Sequence, residues 1–138
     1  MSNHLRTVET IYAAFGRGDV KEMLAMLAED VAWEAWENNH AQAAGVPWLA
    51  PKKGGAKVAE FFEYVGKWKI SSFRVLSLMS GGNQVAAEIE IDAHVTQTGA
   101  SYRDQEMHLW TFDANGKVSS FRHYVDTAKH IQAARGRG

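Results

Sequence analysis

Residues 85–95 read VAAEIEIDAHV, and this alternation decides the fold class. Apolar side chains recur at every second position from Val85 to Val95, whereas acidic side chains and His94 occupy most of the positions between them. A period of two is typical of a β-strand with one buried and one solvated face. We therefore predict a strand over 85–97 whose apolar face points into the core.

Three more strands are predicted around this one, over residues 73–78, 102–112 and 117–125. Turn-forming residues separate the strands, at 80–83 (SGGN), 99–100 (GA) and 113–116 (DANG). The Gly99-Ala100 pair fits the two-residue loop of a tight hairpin. These features together predict a four-stranded antiparallel meander.

Helices are predicted before and after the meander. Apolar residues from Val8 to Phe15 follow the i, i+3, i+4, i+7 spacing of an amphipathic helix. A second, short helix begins after Asp19, which forms a capping box with Glu22. The remaining predictions are a strand over 31–36, a third helix over 55–67 and a closing helix over 127–134 that Asp126 caps.

The order of three helices interleaved with one strand, followed by the meander, predicts an α+β fold. Its helices pack on one face of a mostly antiparallel sheet. Residues 37–53 are predicted to be an irregular loop in which Trp48 can fold down as a lid. The length of 138 residues fits one domain over 1–138.

The composition excludes several classes of protein. Fifteen basic and sixteen acidic residues nearly cancel, so no basic surface for nucleic acid is expected. The chain contains no cysteine, which excludes disulfides and thiol chemistry and favours a reducing compartment. No apolar run is long enough to cross a membrane, and the first residues lack the apolar core of a signal peptide. We expect a cytoplasmic protein with no membrane contact.

Five short motifs, taken in order, resemble the SnoaL-like and ketosteroid-isomerase-like branch of the nuclear-transport-factor-2-like superfamily. They are IYAAFGRGD at 11–19, LAEDVAW at 27–33, HLWTF at 108–112, NGKV at 115–118 and YVDT at 124–127. The resemblance implies a cone-shaped domain whose strongly bent sheet encloses an apolar cavity for a small organic ligand. It also implies a homodimer. Members of this branch include isomerases, cyclases, dehydratases, epoxide hydrolases and proteins that only bind, so the fold leaves the function open.

The pairing of the two central strands decides which side chains face the cavity. With Thr98 opposite Ser101 at the hairpin, His108 lies opposite Ile91. The apolar face of the 85–97 strand must point inward because its other face is almost wholly ionisable. This register turns three side chains of the next strand inward: Glu106, His108 and Trp110.

His108 and His123 are the candidate catalytic residues. The resemblance places His108 where ketosteroid isomerases carry an acidic oxyanion-stabilising residue, and His123 where epoxide hydrolases of this fold carry a catalytic aspartate. Imidazole can serve as a hydrogen-bond donor or as a general base near neutral pH. The alternative is that each is a core histidine bonded to a neighbour, or an exposed one.

Eleven further residues are predicted to line the pocket: Tyr12, Phe15, Trp33, Trp36, Phe61, Ile89, Ile91, Glu106, Trp110, Phe121 and Val125. Ordinary core packing is the alternative for the aromatic ones. Neither a cofactor nor a metal is predicted, although Glu106, His108 and His123 form the one triple with suitable ligand types.

Departures from the resemblance argue against two known mechanisms. Ile11 stands at the position of the oxyanion-binding tyrosine, and Tyr12, one residue on, is expected to point elsewhere. Ala35 stands where ketosteroid isomerases carry the general-base aspartate. Epoxide hydrolases of this fold use an arginine between two aspartates, and on the strand where they carry the arginine this chain has Glu90 and Asp92, which are placed on the outer face. We therefore expect either cofactor-independent acid/base chemistry of isomerase, cyclase or hydratase type, or a non-catalytic binding or dimerisation module.

Overall fold

Six strands form one curved sheet that does not close on itself, with the order β2-β1-β6-β5-β4-β3. A computed structural model describes residues 3–137. The strands are β1 (Leu27–Trp33), β2 (Lys52–Lys53), β3 (Lys69–Gly81), β4 (Gln84–Val95), β5 (Ala100–Phe112) and β6 (Val118–Tyr124). All neighbouring pairs are antiparallel except β1 and β6, which are parallel. This arrangement confirms the predicted α+β class and the meander.

Five α-helices and one short 3-10 helix accompany the sheet in the described part of the chain. They are α1 (His4–Gly16), α2 (Val20–Ala25), α3 (His40–Ala43), the 3-10 helix (Pro47–Leu49), α4 (Gly55–Val65) and α5 (Thr127–Ala134). Helix α1 contacts β3 and β4, α4 contacts β1, and α5 contacts β5. Among the described residues, no helix combines the length and the apolar character needed to cross a membrane.

The pairing of β4 with β5 differs from the prediction by four residues. Val95 pairs with Ala100, and His108 lies opposite Ala87 rather than Ile91. The reason is a longer connection, in which Gly99 adopts a φ of +79° and its N–H bonds the Val95 carbonyl at 2.8 Å. Because the shift is an even number of residues, every side chain keeps the face that the prediction gave it.

Two local predictions are wrong in detail. The predicted irregular loop over 37–53 contains α3, the 3-10 helix and β2. The Asp126 side chain does not cap α5. Instead, the backbone N–H of Asp126 donates to Asp104 Oδ2 at 3.2 Å, because β5 places this carboxylate beside the start of the helix. The cap of α2 is confirmed, since the Asp19 carboxylate accepts the Glu22 N–H at 3.1 Å.

Candidate functional site

A cavity of about 70 Å³ lies between the concave face of the sheet and the helices α1 and α4. Ten of the residues predicted for the site line it: Tyr12, Phe15, Trp33, Phe61, Ile91, Glu106, His108, Trp110, Phe121 and His123. The wall is mainly aromatic, and its charged or imidazole side chains are Glu106, His108 and His123.

Three predicted pocket residues lie elsewhere. Trp36 follows the end of β1 and packs its ring on Tyr124, with the ring centroids 4.9 Å apart. Ile89 is fully buried on β4, opposite Glu106. Val125 lies beyond the last residue of β6, so the strand alternation that predicts an inward side chain no longer applies to it.

Two tryptophans that the sequence offers as candidate wall residues, Trp48 and Trp68, also line the cavity, and five further wall residues are absent from the prediction: Ile11, Phe62, Val65, Phe73 and Tyr102. Two of them carry a usable sequence signal. Tyr102 lies an even number of residues from Glu106 on β5, and Phe73 pairs with the inward-facing Ile91. Trp48 forms part of the wall and is 2% exposed, although the loop that carries it has no periodic pattern.

A cluster of carboxylates and imidazoles borders one side of the cavity. We call it the carboxylate–histidine cluster, and its members are Glu34, Asp104, Glu106, His108, His123 and His130. All are buried except His123, whose side chain is 10% exposed. Only three of them, Glu106, His108 and His123, are predicted from the sequence.

His108 is the link between the cluster and α1. Its Nδ1 lies 2.7 Å from the Tyr12 hydroxyl, and Trp110 Nε1–H donates to the same hydroxyl oxygen at 3.0 Å. The prediction that Tyr12 points elsewhere is therefore wrong. Burial lowers the pKa of His108 to about 4, although the hydrogen bond to Glu106 by itself would raise it. His108 is thus a neutral imidazole at pH 7.

The hydrogen bonds also indicate the tautomer of His108. The Trp110 indole can only donate and the Glu106 carboxylate can only accept, so every group is satisfied when the Tyr12 hydroxyl donates to His108 Nδ1. The remaining His108 proton then lies on Nε2, which faces Glu106 Oε1 at 3.5 Å. This long distance leaves the Nε2–H only weakly engaged.

His123 lies between two carboxylates. Its Nδ1 is 3.1 Å from Glu34 Oε2, and its Nε2 is 2.7 Å from Glu106 Oε1. Burial alone would lower its pKa, but the charges of Glu34 and Glu106 raise it well above its ordinary value. Both ring nitrogens have an acceptor, so His123 is an imidazolium that donates two hydrogen bonds.

Glu106 is the acceptor that the three histidines share. Its Oε2 lies 3.1 Å from His130 Nε2, while its Oε1 faces His123 and His108. Burial would raise its pKa, but the His123 charge and the hydrogen bonds from His108, His123 and His130 hold it well below its usual range. Glu106 is therefore an ionised carboxylate in a largely apolar surrounding.

His130 anchors the cluster to α5 and to the 3-10 helix. Its Nε2 is 2.9 Å from Asp104 Oδ2, and its Nδ1 accepts the Trp48 indole N–H at 2.8 Å. Burial would lower the pKa of His130, but the hydrogen bonds to Asp104 and Glu106 raise it above its ordinary value, whereas the Trp48 contact favours an unprotonated Nδ1. Protonation of Nδ1 would break the Trp48 hydrogen bond because indole only donates. The neutral form with its proton on Nε2 satisfies every contact.

Two groups of side chains offer donors of the kind that bind metal ions: Glu106, His108 and His123, and Asp104, Glu106 and His130. In each group the donor atoms lie within 4.8 Å of one another. Direct hydrogen bonds join them, so a cation at either position would take the place of protons that the groups now share.

The family model of the SnoaL-like domain matches residues 8–121, and the chain belongs to this family. A protein of the nuclear-transport-factor-2-like fold from Burkholderia xenovorans LB400 is 26% identical, with a TM-score of 0.78 and coverage of 96% of this chain and 95% of the other. A protein of unknown function from Burkholderia pseudomallei K96243 is 27% identical, with a TM-score of 0.78 and coverage of 97% and 98%.

A more distant solved structure contains a ligand. It is a Mycobacterium tuberculosis protein in complex with estradiol-17β-hemisuccinate, 16% identical, with a TM-score of 0.74 and coverage of 94% and 98%. These likenesses fit the cone-shaped fold. No curated protein matches the chain significantly.

The lowered pKa of His108 predicts a defined loss of stability in acid. From about pH 6.5 down to about pH 4, the unfolded chain binds a proton at His108 that the folded chain does not. The free energy of unfolding should therefore fall by roughly 3 kcal/mol more in the wild type than in His108→Phe over this window. Urea unfolding of both proteins at pH 7, 5.5 and 4 measures the difference, and parallel curves would contradict the neutral, buried imidazole.

Proposed function

We propose that this chain binds a small, largely apolar organic molecule in the cavity and catalyses cofactor-independent acid/base chemistry on it. The observation that carries the proposal is the carboxylate–histidine cluster at the wall of an otherwise aromatic cavity. The reaction would be of isomerase, cyclase or hydratase type, with His123 and His108 as the catalytic residues.

The energetic cost of the cluster supports a functional role. Burying ionised groups costs several kcal/mol each, and well-packed apolar residues often replace a buried ion pair at no loss of stability. A fold that needed only a core would gain little from these charges. Titratable groups that burial and specific partners perturb are concentrated at functional sites.

The backbone at Glu34 supports the same conclusion. Glu34 has a φ of +58°, in the left-handed region that is costly for a residue with a side chain. It follows the end of β1, and its carboxylate, 2% exposed, reaches His123. Strained backbone of this kind is found preferentially at functional sites.

The two histidines are suited to different steps. His123, as an imidazolium at the cavity wall, can give a proton to a ligand atom by exchanging its hydrogen bond to one carboxylate, Glu34 or Glu106, for one to the ligand, while the other carboxylate holds the ring. His108 remains neutral, and its weakly engaged Nε2–H can polarise a carbonyl or hydroxyl oxygen. Neighbouring groups whose environments push their pKa values apart are typical of acid/base sites.

The ligand seen in the Mycobacterium tuberculosis neighbour supports the class of molecule. That protein holds a steroid ester within the same fold. We propose that the aromatic cavity of this chain likewise accepts a ring-containing molecule with at least one polar group.

Binding without turnover is the second candidate function. Both oxygens of Glu106 already accept hydrogen bonds from histidines, and its pKa is held well below the usual range. His108 Nδ1 is likewise bonded to Tyr12. Because these basic atoms already accept hydrogen bonds within the protein, the cluster supports the hypothesis that the protein sequesters or senses its ligand without converting it.

The catalytic proposal predicts a specific effect of His123→Gln. A panel of steroids, polyketides, terpenoids and aromatic acids is first screened through tryptophan fluorescence, and each compound that binds is then assayed for conversion by mass spectrometry. Glutamine can still donate a hydrogen bond but cannot deliver a proton at neutral pH. We expect conversion to fall by about 10²-fold or more, as for the loss of a general acid.

The matched control is His94→Gln, on the outer face of β4. It should leave both binding and conversion unchanged. Undiminished conversion by His123→Gln would contradict its role as the acid. A ligand that binds the wild type and is never converted would establish the binding function instead.

We also propose that the chain forms a homodimer. Four large apolar side chains on β3 and β5 remain more than a third exposed: Val75, Leu76, Met79 and Met107. Met79 and Met107 lie on the outer face of the sheet, and exposed apolar groups that form one patch on such a face are typical of surfaces that meet a partner. The remaining hypothesis for the function is a module that only dimerises, which requires that no ligand enter the cavity.

Light scattering after size-exclusion chromatography tests the dimer. We expect a mass twice the 15.3 kDa of the chain for the wild type, and a mass near 15.3 kDa for Met79→Glu/Met107→Glu. The same charge placed at Lys57→Glu, on α4, is the control and should leave the dimer intact. A wild-type mass of one chain would refute the proposal.

A further inference from the structure

Trp33 contains a buried polar atom that no other group of the protein satisfies. Among the buried side-chain nitrogen and oxygen atoms of residues 3–137, only the indole Nε1 of Trp33 lacks a hydrogen-bond partner. The three other buried indoles are paired: Trp48 donates to His130, Trp110 to Tyr12, and Trp68 to Gln97 Oε1 at 3.0 Å. The exception therefore calls for a physical reason.

The surroundings of Trp33 explain why the indole has no acceptor. Its ring stacks on Phe121 with the centroids 4.2 Å apart and makes edge contacts with Phe62 and Trp110. The side chain is 3% exposed and forms part of the cavity wall. An unsatisfied N–H among aromatic rings is unfavourable. A phenylalanine would keep the stacking without this cost, as Phe61 and Phe62 do nearby.

A second incompletely used donor lies on the same wall. His108 carries its proton on Nε2, and the nearest acceptor, Glu106 Oε1, is 3.5 Å away and already bonded to His123. His108 and Trp33 contact the same Phe121 ring, at centroid distances of 5.2 and 4.2 Å. Two donors thus belong to side chains that line the cavity and pack on one aromatic ring.

We propose that Trp33 is a specificity-determining residue whose indole N–H donates a hydrogen bond to the ligand. The ligand would carry two acceptor atoms on a rigid apolar ring frame, one for Trp33 Nε1–H and one for His108 Nε2–H. This inference rests on the proposed binding function and narrows the class of molecule. It does not depend on whether the ligand is converted.

Two probes with the same bicyclic frame separate acceptor recognition from apolar contact. Naphthalene has no acceptor, and 1,4-naphthoquinone has two. In Trp33→Phe we expect the affinity for 1,4-naphthoquinone to fall three- to tenfold, the effect of losing about one hydrogen bond. The affinity for naphthalene should change less than twofold, because the aromatic wall is retained.

Trp68→Phe is the matched control. Trp68 also lines the cavity, but its N–H is already bonded to Gln97. This variant should alter the affinity for both probes to the same extent. In the free protein, Trp68→Phe should lower Tm more than Trp33→Phe, because both variants lose buried ring atoms and only Trp68→Phe also loses an internal hydrogen bond.

The indole proton gives a direct readout. In ¹H–¹⁵N spectra assigned with these variants, the Trp33 Nε1–H resonance should move downfield when 1,4-naphthoquinone is added and should not do so with naphthalene. An unchanged resonance, or equal loss of affinity for both probes in Trp33→Phe, would overturn the inference while leaving ligand binding intact. Failure of both probes to bind the wild type would instead count against the proposed binding function, and with it this inference.

Discussion

The carboxylate of Glu106 accepts hydrogen bonds from three histidines, and the rest of the site depends on this arrangement. His108 comes from β5, His123 from β6 and His130 from α5, so one buried acceptor joins two strands and the closing helix. Removing the histidines would leave an uncompensated charge in the interior, which costs far more than the loss of an exposed ion pair. The position of Glu106 on the concave face thus fixes the positions of the imidazoles.

The surroundings of Glu106 give neighbouring histidines different protonation states. His108 and His123 have ring centroids 4.7 Å apart, yet burial keeps the first neutral while two carboxylates keep the second charged. The cavity therefore has one polar side, with a fixed proton donor and a neutral hydrogen-bond donor, and an aromatic remainder. A ligand with a polar end and a ring frame is the natural complement of such a cavity.

Much of the fold can be predicted from the sequence because the strands are long and strictly alternating. Val85 to Val95 establish which face is buried, and an error of four residues in the pairing of β4 with β5 leaves every side chain on its predicted face. The same parity brings Glu106 and His108 to the cavity. Only an error of an odd number of residues in the pairing would have turned Glu106 and His108 away from the cavity.

Of the three cluster members that were not predicted, Asp104 lies on β5 two residues before Glu106, so the strand alternation carries a signal for it. Glu34 lies in a turn after β1, and His130 is a single polar residue on the buried side of α5. Their approach to Glu106 depends on how distant elements pack, which no local pattern records. The contact of Tyr12 with His108 could not be predicted for the same reason. Helical spacing gives the direction of the Tyr12 side chain around α1, but not the position of α1 against the sheet.

The measurement that tests this account most directly is the protonation of the imidazole nitrogens by long-range ¹H–¹⁵N NMR at pH 7. The account predicts protons on both nitrogens of His123, on Nε2 alone of His108, and a Tyr12 hydroxyl that donates to His108 Nδ1. A neutral His123, or a His108 protonated on both nitrogens, would contradict the charge distribution from which the acid/base proposal is derived.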